Sequence, residues 1–165
     1  MLMSLIKWLA IGLAVLAALL LIAGQAGLLQ GQPPTDLGLA GGRLKPPSRT
    51  PNSVSSQAGL YAENPVQAAA AIAPLAWPGA PAAAMPTLAR VIAAMPGAEL
   101  VEQRPDYLYA RFKTRPLGFV DDAEFWLDPT GKLIQVRSAS RLGRKDFGVN
   151  RQRIDHIRAM LATAG

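Results

Sequence analysis

The chain has no cysteine and a single histidine. The first absence excludes disulfide frameworks, thiolate nucleophiles and cysteine metal sites, and it removes redox chemistry as a guide to compartment. The second leaves little for acid–base catalysis. His156 falls opposite Ile154, Ile157 and Leu161 on a predicted C-terminal helix, so it faces solvent with no serine or acid partner in view. No His-x-x-x-Glu or His-Glu-x-x-His spacing and no Asp-rich loop is present, so neither a metal nor any other cofactor is expected. Charge is unevenly divided along the chain. Residues 1–131 carry nine Lys or Arg and nine Asp or Glu, whereas 132–165 carry eight and two, so the whole formal charge of +6 sits in the last part of the chain.

What is abundant at the start is Leu and Ala. From Trp8 to Leu29 no residue is charged, and Leu9 to Ala23 is almost wholly Leu, Ile, Val and Ala, long enough as a helix to span about 30 Å of hydrocarbon. Lys7 and the amino terminus precede this run and glutamines succeed it, which favours an N-inside orientation. The segment reads as a retained anchor spanning Leu9 to Leu29. A cleaved signal peptide, using the small residues of Gly24-Gln25-Ala26, is the alternative. Either one exports the rest of the chain.

From Gln30 to Ser56 the sequence is punctuated by Pro, Gly and Ser, as in Gln32-Pro33-Pro34-Thr35 and Lys45-Pro46-Pro47-Ser48, and predicts extended chain. Leu37, Leu39, Leu44 and Val54 give its second half an apolar grip on a domain surface. Asn64 to Ala73 predicts a short helix, and Pro86 is expected to start a longer one whose Leu88, Val91, Ile92 and Met95 share a face before Pro96-Gly97 ends it. Four strands are expected in quick succession, Ala98–Gln103, Tyr107–Lys113, Phe119–Leu127 and Leu133–Ala139, then a helix from Arg151 to Ala162 capped by Asn150. The expected fold is therefore α+β: a four-stranded antiparallel meander with two packing helices on one face, preceded by a transmembrane helix. The domain limits are 1–29 for the anchor or signal, 30–56 for the partly ordered linker and 57–165 for the α+β domain. In the third strand Ala123, Phe125 and Leu127 alternate with Asp122, Glu124 and Trp126, so one sheet face is apolar and the other polar. Pairing Leu127 with Lys132 sets Phe125 against Ile134 and Asp122 against Arg137, which predicts an ion pair on the polar face. Asp121 then turns toward the core edge, where it needs a donor.

The residues Phe119-Val120-Asp121-Asp122, Arg137 to Gly143, Asp146 to Arg151 and Pro51 to Ser56 resemble the motifs of the domain of unknown function 1499 family, and the resemblance covers about Leu37 to Leu161. It implies no particular chemistry. Members with a hydrophobic leader look like exported or envelope proteins of bacteria, which implies an inner-membrane protein with its domain in the periplasm, or a periplasmic one if the leader is removed. Two departures stand out: Ser53 replaces a cysteine found in some members, and Arg144-Lys145 replaces a common Tyr-Ser pair, which tilts any ligand preference toward anions.

The candidate ligand residues are Asp122, Glu124, Arg137, Ser138, Ser140, Arg141, Arg144, Asp146, Asn150 and Arg151. Arginine forks, serine hydroxyls and the free amides of a helix start suit phosphate or carboxylate. The opposing expectation is structural, with Asp122 and Asp146 absorbing Arg137 and Arg141 into a charge-paired loop. Three functions stay open. The preferred one is a non-enzymatic envelope module binding an anionic lipid, glycan or phosphate, or a protein partner. The second is an enzyme on a phosphorylated or carboxylated substrate, which requires a pocket joining Asp122, Arg137, Ser140 and Arg141. The third is a scaffold docking a membrane protein. Nucleic acid is not expected as a partner: Tyr107 and Tyr109 lie on what reads as an open sheet face, but the chain is exported.

Overall fold

A computed structural model describes residues 1–164. The first helix, α1 (Leu2–Gln25), has 24 residues, about 36 Å by helical rise. It is long and apolar enough to cross a membrane, and its apolar window is not buried by the rest of the chain.

The remainder is a mixed fold around one antiparallel sheet. In chain order its strands are β1 (Ser53–Ser55), β2 (Leu75–Ala76), β3 (Ala98–Gln103), β4 (Tyr107–Lys113), β5 (Val120–Leu127) and β6 (Leu133–Ser140). The order across the sheet is β1-β6-β5-β4-β3, with β2 also paired to β6. The sheet thus has six strands where four were expected. The two extra ones share the outer edge of β6, β1 opposite Arg137–Ala139 and β2 opposite Leu133–Ile134. At three and two residues they are too short to carry a periodic signal, and their amides are satisfied only by a strand some sixty or more residues away.

The helices of the domain are α2 (Gln67–Ala70), α3 (Pro81–Ala93) and α4 (Val149–Ala164). Helix α3 starts five residues before Pro86, the expected start, because Pro81 occupies the first helical position and the Ala82–Ala84 run is strongly helix-forming. Pro86 sits inside the helix and forgoes one backbone hydrogen bond there. Helix α4 is closed at its start by Asp146 rather than Asn150. The Asp146 carboxylate accepts from the backbone N–H of Gly148 (3.1 Å) and of Asn150 (3.0 Å). Buried residues of α3 (Leu88, Ile92) and α4 (Ile154, Ile157) join Leu108, Phe125, Ile134 and Val136 in one apolar cluster.

The β5–β6 register is displaced by two residues from the expected one. Leu127 faces Ile134, Phe125 faces Val136, and Glu124, not Asp122, faces Arg137. The connection is longer than a minimal hairpin: Gly131 adopts φ +69°, its N–H returns to Asp128 O, and Asp128 N–H pairs with Leu133 O. A slip of two preserves which side chains share a face, so apolar alternation is satisfied in both registers and the turn decides between them.

Candidate functional site

The second face of the sheet is not open. Residues 30–52 form an extended strap across it, held by side chains rather than by a strand ladder. Proline-rich chain has few N–H groups to offer, but its carbonyls still need donors. Arg137 Nε donates to Pro46 O (3.0 Å), Tyr61 Oη to Leu44 O (2.5 Å) and Asn64 Nδ2 to Pro47 O (2.8 Å), while Leu44 N–H donates to Gln57 Oε1 (2.7 Å). Leu44 is 1% exposed. Tyr107, read from sequence as lying on an open face, is fully buried.

Beneath the strap, Glu124 is fully buried, and its Oε1 accepts from Gly38 N–H (2.8 Å) and Tyr107 Oη (2.9 Å). Its other oxygen, Oε2, has no hydrogen-bond partner and lies 3.7 Å from Arg137 Nη1. Burial pushes the Glu124 carboxyl above its ordinary pKa, only partly offset by the Gly38 amide, the Arg137 charge and the Tyr107 hydroxyl. Burial likewise pushes the Tyr107 phenol up, reinforced by the neighbouring Glu124 charge. Asp122 is differently placed. Arg141 grips it with two hydrogen bonds, Nε to Oδ2 (2.8 Å) and Nη2 to Oδ1 (2.7 Å), and Tyr109 Oη donates to the same Oδ1 (2.5 Å). This fork geometry is the strong form of an arginine–carboxylate pair. Burial and the bond to Asp122 push the Tyr109 phenol up to about 12.

Asp122, Arg137, Ser140 and Arg141 line the floor of a cleft of about 800 Å³, and the strap supplies its other wall, including Asp36, Lys45 and Arg49. Lys45 is tied to Asp36 at 2.5 Å, and their hydrogen bond lowers the Asp36 pKa. Arg49 is exposed with no acid partner among the described residues, and Glu63 stands at the rim. Arg137 is the unusual member. It is 5% exposed, its Nε is committed to the strap, and its two terminal nitrogens donate no hydrogen bond to any described residue.

Four other predicted residues belong to the opposite side of β6. Asn150 is fully buried, accepting from Ser138 Oγ (2.6 Å) and Arg153 Nη1 (2.6 Å) at Oδ1 and donating from Nδ2 to Ser140 Oγ (3.0 Å), Asp146 Oδ2 (3.0 Å) and Asn52 O (3.2 Å). Arg153 Nη2 continues to Asp121 Oδ2 at 2.5 Å, which supplies the donor that Asp121 needs. Against the opposing effect of burial, hydrogen bonds from the Asn150 and Gly148 N–H groups and the Asn150 side chain hold the Asp146 carboxylate below its ordinary pKa. This is a saturated network fixing α4 to the sheet. Arg151 also has a structural role, donating from Nη2 to Ala69 O (2.9 Å) and Ala71 O (2.8 Å), and Arg144 is exposed on the loop before α4. The predicted set therefore divides mainly between two places, with Ser140 at the border and Arg144 and Arg151 outside both. Sequence reading missed Arg153, which could have been found as the cation three residues after Asn150 on the helix face that also carries Ile154 and Ile157. It also missed Lys45 and Arg49, for which no local signal exists.

The family model described as "Protein of unknown function (DUF1499)" matches residues 43–161. Neither the curated proteins nor the solved structures contain a match to the chain.

Proposed function

The chain belongs to the DUF1499 family of proteins of unknown function, and from its geometry we propose that it is a membrane-anchored, exported binding module whose strap-covered cleft takes a phosphate- or carboxylate-bearing ligand. One observation carries this: Arg137, buried at the cleft floor with both terminal nitrogens undonated. A guanidinium so largely buried is poorly hydrated, and an anion entering the cleft would supply both counter-charge and acceptors to its terminal nitrogens. The nearest protein charge, Glu124 Oε2 at 3.7 Å, is beyond hydrogen-bond range. Lys45 and Arg49 at the wall and Ser140 at the floor supply further groups for the same ligand. The α1 helix, long and apolar enough to cross a membrane, supports the anchor, and Lys7 before it supports export of the domain.

The enzyme reading is favoured by a specific feature, since the cleft does join Asp122, Arg137, Ser140 and Arg141. What weighs against it is that both Asp122 oxygens are held by Arg141 and Tyr109, and Glu124 lies under Gly38 away from the cleft wall. No carboxylate at the floor is left free to move a proton.

The test is a titration of the 15N-labelled full chain in micelles with inorganic phosphate and with phosphorylated sugars. Saturable shifts at the Arg137 and Ser140 signals are expected, weakened at least tenfold by Arg137→Gln and severalfold by Arg49→Gln, an exposed change that leaves the core alone. Shifts that track Arg144 and Arg151 equally and do not saturate would sink the cleft as a site. Turnover of any phosphorylated probe, lost in Asp122→Asn with binding retained, would move the reading to the enzyme.

A further inference from the structure

The end of the domain nearest α1 carries a group of exposed apolar side chains that nothing in the chain covers. Phe147 is 90% exposed, and Phe119, Leu142 and Val149 around it are exposed as well. All four line one small depression between the β4–β5 loop and the β6–α4 loop. Phe147 is also the one non-glycine residue described with positive φ, at 51°, in the left-handed region that a bulky side chain normally avoids. A chain that spends backbone strain to hold a phenylalanine outward is holding it toward something.

The anchor indicates what that is. Gly24, near the end of α1, touches the β4–β5 loop so closely that a Cβ there would lie 2.4 Å from Leu117 O, and Gln25 Nε2 donates to Pro116 O (3.1 Å). A few residues on, Gly31 packs against Arg141 and Leu142. The two loops bearing the apolar group are therefore the two loops against which the chain leaves the helix. Around them Lys113, Arg115, Arg144 and Lys145 are all exposed. The acids at this end are committed, Asp146 to the start of α4 and Asp121 to Arg153. The far end of the sheet is different, with Glu102, Asp106 and Asp128 beside Arg104 and Lys132.

We infer that the β6–α4 loop, led by Phe147, docks into the headgroup region of an anionic bilayer, with the four cations on lipid phosphates. An aromatic tip ringed by Lys and Arg is what an interfacial lipid contact requires, and the anchor keeps it at the surface, so weak individual contacts suffice. The inference rests on the anchor being retained. It is independent of the cleft, whose residues it does not use beyond the backbone neighbourhood of Arg141.

Because the chain lacks cysteine, single-cysteine labelling tests this in the full-length protein. The variants Phe147→Cys, Lys132→Cys and Leu16→Cys, each carrying an environment-sensitive fluorophore, are placed in nanodiscs with and without phosphatidylglycerol. In discs containing phosphatidylglycerol the label at 147 is expected to be blue-shifted and shielded from a water-soluble quencher, the label at 132 accessible, and the label at 16 shielded in both discs. Adding Arg144→Gln and Lys145→Gln is expected to cut the docked-to-free ratio at 147 at least tenfold, at about fivefold per cation near an anionic surface. If the label at 147 is as accessible as that at 132 while the label at 16 is shielded, docking is overturned with the anchor intact. If the label at 16 is accessible, the anchor itself fails, and docking falls with it.

Discussion

Over β5 and β6 the two faces of the β-sheet are both covered, but by different physics. The face carrying Leu108, Phe125, Ile134 and Val136 shares one apolar cluster with side chains of α3 and α4, and its stability comes from apolar area and packing, which is non-directional. The face carrying Glu124, Asp122 and Arg137 is covered by a proline-rich strap, and what holds it is a set of directed hydrogen bonds. The first face has its few buried polar groups, Asp121, Ser138, Asn150 and Arg153, bonded to one another. The second has a cleft, a cation whose two terminal nitrogens donate to no described residue, and a carboxylate oxygen without a partner. The difference shows where function can be built: a packed apolar layer is complete, whereas a polar layer can be left one ligand short.

Three changes sharpen this contrast. The largest effect is expected on the apolar face, where Phe125→Ala should lower unfolding free energy by about 4 kcal/mol in chemical denaturation, with phosphate-induced shifts unchanged in the protein that remains folded. The next is on the polar face. Asp122→Asn leaves Arg141 buried without its counter-charge and should cost about 3 kcal/mol, whereas Asp122→Leu combined with Arg141→Met should cost much less. Equal losses in the single and double variants would show that the pair does not act as a unit. The smallest effect is in pH dependence. Since the Glu124 carboxyl is raised by burial above its ordinary value of 4.5, the folded state holds that proton more tightly than the unfolded one. Stability from this group is full below about 4.5 and is lost as pH rises through the folded value. Glu124→Gln should flatten that part of the stability curve, and an unchanged slope would mean that another group carries it.

Much of the architecture is legible in the amino-acid order. The apolar N-terminal run predicts α1, and alternation places β3 and β4 to the residue and β5 and β6 to within one. Alternation has period two, however, so it cannot distinguish registers that differ by two, and the ion partners differ from the expected ones for that reason: Asp122 pairs with Arg141 and Glu124 faces Arg137. Of the candidate site, the sequence identifies Arg137, Ser140, Arg141 and Asp122 as charged or polar groups near one another. It does not separate them from Ser138 and Asn150, because residues on successive positions of one strand are close in sequence and on opposite sides in space.

By itself the sequence determined the apolar leader, the mixed fold, the cysteine-free chemistry and the concentration of positive charge after residue 131, because each depends on composition or on spacing within a few residues. Only the tertiary structure decided that residues 30–52 lie over the polar face, that two short strands complete β6, and that Arg137 is buried with donors to spare. Those facts depend on groups from nearly sixty to some ninety residues apart meeting with hydrogen-bond geometry, and no local pattern encodes a meeting at that range.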